Sequence, residues 1–137
     1  MSETIKLQQD NWGYLQENNF FKSEEEDATM FRWVSRLGDM NRITNKEGKT
    51  ASFYDLVELS TLDPKETKKF LNRLINSGIM GKFVGEQECF ILNPNLAFAT
   101  YDKEHFRQLH LLFSLCGTSR ISKNLPVSIW DMDLSEY

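Results

Sequence analysis

Positions 65, 68, 69, 72, 73 and 76 carry Lys, Lys, Lys, Asn, Arg and Asn. At 3.6 residues per turn they fall on one side of a single helix. Their chemistry is that of contact with a nucleic-acid duplex. Lys65, Lys68 and Lys69 supply ammonium groups for phosphate or for guanine edges. The Asn72 amide can face adenine, the Arg73 guanidinium can fork onto guanine, and Asn76 shares the face. Thr61 and Thr67 add hydroxyl donors for phosphate, and Lys82 follows shortly after.

A face of this kind is useful only if the elements around it hold it outward. Asp63-Pro64-Lys65-Glu66 is the sharpest helix start in the chain. Asp63 can cap the first amides, Pro64 suits the first helical position, and Glu66 closes a capping box. Phe70, Leu71, Leu74 and Ile75 make the apolar stripe, and Gly78 ends the helix. Ahead of it, Ser52 with Asp55 is a second capping signal, and Phe53, Leu56, Val57 and Leu59 form the apolar face of a short helix. Ser60-Thr61-Leu62-Asp63 is the turn between the two helices. Behind it, Ile79–Val84 and Glu88–Leu92 flank Gly85-Glu86-Gln87, the pattern of a β-hairpin, and Asn93-Pro94 stops its second strand.

An earlier helix is expected over 24–37. Ser23-Glu24-Glu25-Glu26 opens it as a capping box in which the glutamate reaches back. Met30, Phe31, Val34 and Leu37 line it, and Gly38 stops it. Residues 40–51 read as a short strand and a turn at Asn45 to Gly48. A last helix is expected over about 103–116, with Phe106, Leu109, Leu112, Phe113 and Cys116 on its apolar side. Residues 1–22 read as an N-terminal arm, either a short strand or a segment packed on the body. Residues 23–117 form the main domain and 118–137 an acidic tail. The fold class is mainly α with a small β-hairpin, an α+β winged helix-turn-helix.

The 137 residues suit one domain with a core of its own. The net charge of −4 is unevenly spread. Residues 1–30 hold Glu3, Asp10, Glu17, Glu24, Glu25, Glu26 and Asp27 against Lys6 and Lys22, and the end holds Asp131, Asp133 and Glu136. Residues 64–83 instead hold Lys65, Lys68, Lys69, Arg73 and Lys82 against Glu66. Cys89 and Cys116 do not make a disulfide framework and read as small buried hydrophobes. No apolar run reaches the roughly 20 residues of a membrane helix, and the first residues are no signal peptide, so a cytoplasmic location is expected.

His105 and His110 are five apart on one helix, which does not align them on one face. No metal-binding, phosphate-cradling or nucleophile motif is present. The expectation is a protein with no catalytic residue, no metal and no cofactor. Glu24 to Asp27 at a helix start point in different directions and favour the helix dipole over a metal.

The run from Met30 to Phe113 resembles plasmid replication initiator proteins of the RepL type, found in Firmicutes and their phages, and more loosely MarR-like winged helices. The residues that carry the likeness are Phe31-Arg32-Trp33-Val34, the helix pair Phe53–Leu59 and Lys65–Ile75, Ser77-Gly78-Ile79-Met80, and Phe90-Ile91-Leu92-Asn93-Pro94-Asn95-Leu96-Ala97-Phe98. In the last of these, a wing strand runs into an Asn-Pro and an aliphatic-aromatic segment. The resemblance implies a winged helix that binds DNA in replication or transcription control. The acidic ends depart from that pattern.

Double-stranded DNA is therefore the expected partner. A homodimer would multiply a weak single-helix contact, with helix 103–116 and the N-terminal arm as its surfaces. The alternative is a phage-encoded winged helix that binds and modulates a host protein through its acidic segments.

Overall fold

The computed structural model describes residues 5–85, 87–99, 107–109 and 111. Among them the chain is mixed α and β. Lys6–Leu7 (β1) leads into Gln9–Glu17 (α1) and Glu24–Val34 (α2). A single 3-10 turn at Asp39–Asn41 precedes Phe53–Leu59 (α3) and Pro64–Asn76 (α4). Met80–Val84 (β2) and Glu88–Leu92 (β3) follow, then Ala97–Phe98 (β4). Strand β2 pairs antiparallel with β3, Lys82 facing Phe90 in the register, and β1 pairs antiparallel with β4.

The helix starts form as their side chains dictate. Ser23 Oγ accepts from the Glu26 amide at 3.2 Å, and Ser52 and Asp55 close a reciprocal box. Asp63 accepts from the Glu66 amide at 2.7 Å with Pro64 at the first helical position. At the other end of α4, Gly78 sits at φ 78°, the left-handed region that a Cβ resists. It closes a Schellman motif: the Ile79 amide donates to Leu74 O and the Gly78 amide to Ile75 O. Buried Asn93 then donates from Nδ2 to Gly78 O at 2.8 Å, fixing the hairpin's exit strand to the end of α4.

Helix α2 is shorter than its apolar spacing suggests. It ends at Val34, because Leu37 leaves the helix to make a bridge with Ile43. Gly38 is consequently not a helix stop. Its backbone is extended, and a Cβ there would come within 2.8 Å of Thr44 Cγ2, so it is needed for close approach.

Of the N-terminal stretch, residues 5–22 carry β1 and α1, and Leu15 and Phe20 sit in the main core. Helix α1 is tied to the Asn-Pro turn: Asn11 Nδ2 donates to Asn95 O and Trp12 Nε1 to Leu96 O, at 2.5 and 2.8 Å. The core is built around Trp33, stacked on Phe70 at 5.8 Å between centroids, with Met30, Leu56, Leu74, Ile79 and Phe90 around it. The Trp33 indole donates to Leu56 O, so α2 grips α3 by a hydrogen bond as well as by packing.

Of the helix expected over 103–116, residues 107–109 and 111 are helical and the rest lies outside the described residues, as does the 118–137 tail. Buried Leu109 packs with Ile91 against Met40, Phe83 and half-buried Cys89. Among the described residues no helix is long and apolar enough to cross a membrane.

Candidate functional site

The face of interest is the outer side of α4. Its inner side is fixed by Thr67, Phe70, Leu71 and Leu74, all buried. That leaves Lys65, Lys68, Lys69, Asn72 and Asn76 exposed together along the opposite side. Lys69 meets Glu66 at 3.6 Å one turn back, an exposed pair that barely offsets its charge. Three ammonium groups and two amides thus share one solvent-facing strip, with Pro64 and the helix amino end at its head.

The turn that aims this helix is held by hydroxyls. Thr29 of α2 lies 3.1 Å from Thr61 Oγ1 and accepts from the Thr61 amide. Thr61 Oγ1 also donates to Glu25 O at 3.0 Å. Ser60 Oγ lies 2.9 Å from Thr67 Oγ1, which in turn donates to Asp63 O at 2.8 Å. The angle between α3 and α4 is therefore set by paired hydroxyls, of which Thr29 and Thr67 are buried, and not by packing alone.

Two of the expected DNA-contacting residues, Thr67 and Arg73, are corrected by this geometry. Thr67 is fully buried and its hydroxyl is spent on the turn, so it has no reach to phosphate. Arg73 turns away from the strip. Its guanidinium pairs with Glu26 through its two terminal nitrogens, donates to Phe20 O at 3.0 Å, and lies 5.4 and 5.3 Å from the Phe20 and Phe70 ring centres. It ties α4 to the first turn of α2 and is not free to read guanine. Thr61 is exposed, but its hydroxyl too is committed to the neighbouring helix.

Glu26 is what sequence reasoning placed only in the capping box. It reaches back past Ser23 to accept from the Lys22 amide at 2.9 Å, and it holds Arg73. Burial pushes its carboxyl up, but the Arg73 hydrogen bond, the Lys22 amide and both positive charges outweigh that, so it lies below its ordinary range. The available signal was angular. On a helical wheel Arg73 sits about 80° round from Lys65, at the border with the apolar side.

The hairpin supplies less charge than α4. Lys82 Nζ pairs with Glu88 at 3.0 Å across β2 and β3. Val84 is exposed beside the hairpin tip. Compared with known proteins, the chain matches no family model, no curated protein and no solved structure.

Proposed function

We propose that the chain is a winged-helix protein that binds double-stranded DNA, acting in replication or transcription control of the plasmid or phage type. Helix α4 would enter the major groove, whose width of about 12 Å admits one helix. The observation that carries this reading is the exposed strip of Lys65, Lys68, Lys69, Asn72 and Asn76 on a helix whose other side is locked into the core. In support, a β-hairpin follows α4 directly, in the position of a wing. Within the strip the lysines suit phosphate, and Asn72 and Asn76 suit adenine edges. Lys82, paired to Glu88, would lie along the backbone as a weaker contact.

Binding of a labelled duplex, followed by fluorescence anisotropy across a salt series, tests this. Each lysine that neutralises a phosphate adds about 0.9 to the negative slope of log K against log salt. Changing Lys65, Lys68 and Lys69 together to Ala should therefore flatten the slope by about two to three and weaken binding to every sequence. Asn72→Ala should cost about 1–3 kcal/mol on a preferred duplex and little on others. If the triple lysine variant keeps both affinity and slope, α4 is not the DNA element. The reading as a modulator of a host protein would then replace this one.

A further inference from the structure

A second surface lies on α2, away from the strip on α4. Glu24, Asp27, Ala28, Phe31, Arg32 and Ser35 form its exposed side, opposite the buried Met30, Trp33 and Val34. They border a groove of about 900 Å³ whose far wall includes Ile5, Leu7 and Trp12. Phe31 is 71% exposed and Leu7 55% exposed in it. A large aromatic left in water within an apolar groove marks a surface that a protein partner covers.

The charge order along this side matches itself. Glu24 and Arg32 are each four residues from Ala28, one toward either end. If two copies of α2 meet antiparallel across a two-fold axis at Ala28, each Glu24 faces Arg32 of the second copy. Such isologous pairing is what a symmetric dimer requires. Ala28 has the small side chain that close helix approach needs at the crossing point. The two Asp27 carboxylates come near the axis, and two Glu24–Arg32 pairs and the covered Phe31 rings stand against that repulsion. We infer that this face is the contact between two copies of the chain, α2 against α2, antiparallel about Ala28. The inference is independent of the DNA reading.

Sedimentation equilibrium on the full chain, without DNA, tests it. The unaltered protein should dimerise at micromolar concentrations. Glu24→Arg alone and Arg32→Glu alone should each raise the dissociation constant about tenfold or more, since each loses two pairs and gains two repulsions. An equimolar mixture of the two variants should regain the dimer, because the mixed pair again sets opposite charges together. Ala28→Arg puts a helix-forming residue on a solvent face, and should give a folded monomer by circular dichroism. It carries the test if Glu24→Arg weakens the start of α2. A chain that is monomeric throughout, single variants that dimerise like the unaltered protein, an Ala28→Arg chain that still dimerises, or a mixture that stays monomeric would overturn the inference.

Discussion

At the residue scale the decisive side chain is Arg73, whose type suggests base reading and whose place forbids it. A guanidinium held by Glu26, the Phe20 carbonyl and two ring faces is a brace between α4 and α2. Its removal leaves the Glu26 carboxylate, only 12% exposed, without its hydrogen-bonded cation. Arg73→Met should therefore destabilise the fold by about 2 kcal/mol, below the figure for a fully buried pair because the arginine itself is 27% exposed. Chemical denaturation measures this. The salt slope of DNA binding should stay unchanged in the folded fraction, which separates a brace from a phosphate contact. Arg73→Lys should not rescue it, since an ammonium group cannot fork onto one carboxylate and stack on two rings at once. A loss of sequence preference without a loss of stability would return Arg73 to the DNA face.

At the element scale, Gly38 shows how a sequence signal can have the right residue and the wrong cause. A glycine at the end of an apolar helical pattern reads as a stop, yet the helix has already ended at Val34 and the glycine admits Thr44. Gly38→Ala should destabilise by about 1–2 kcal/mol, as overpacking does. Adding Thr44→Ser removes Cγ2 while keeping the hydroxyl that donates to Arg36 O, and should recover most of the loss in a double-mutant cycle. Additive losses would sink that explanation. The same scale decides what was legible. The starts of α3 and α4 and the second hairpin strand were readable to the residue, because Ser52, Asp55, Asp63 and Pro64 each state a boundary through local hydrogen bonding or backbone angle, while the first strand begins at Met80 and not at the expected Ile79. Helix α1 was not, because Gln8 makes no side-chain cap, Gly13 lowers the helix propensity of the stretch, and its anchors are carbonyls of Asn95 and Leu96 far along the chain. The strip on α4 was legible as a periodicity. Arg73 was misplaced on it, and Thr67 was misassigned to phosphate, because a tertiary partner, Glu26 or the Ser60 hydroxyl, claims each.

At the scale of the whole molecule, three carboxyls among the described residues tie stability to acid, with opposing signs. Glu26 lies below its ordinary value of 4.5, where burial raises it but Arg73 and the Lys22 amide lower it more. Asp55 lies below 3.8, chiefly through the Ser52 amide. Asp27 lies above 3.8, raised by burial and then by the charges of Glu26 and Glu24. For the first two, the unfolded chain binds protons more readily than the folded one. Their contribution is thus present above about pH 4.5 and is lost as pH falls through the folded values. For Asp27 the sign reverses. Its contribution is present below 3.8 and is lost as pH rises through its folded value, so it offsets part of the others. The two lowered groups make the unfolding free energy fall as pH drops from 5 toward 3, and Asp27 opposes that fall. In Glu26→Gln that fall should be shallower, leaving the part that comes from Asp55. In Asp27→Asn it should be steeper, and the variant should be the more stable one at pH 7. Urea denaturation at stepped pH distinguishes these curves. Parallel curves for the unaltered chain and Glu26→Gln would mean that the Arg73 brace is not what makes the fold sensitive to acid.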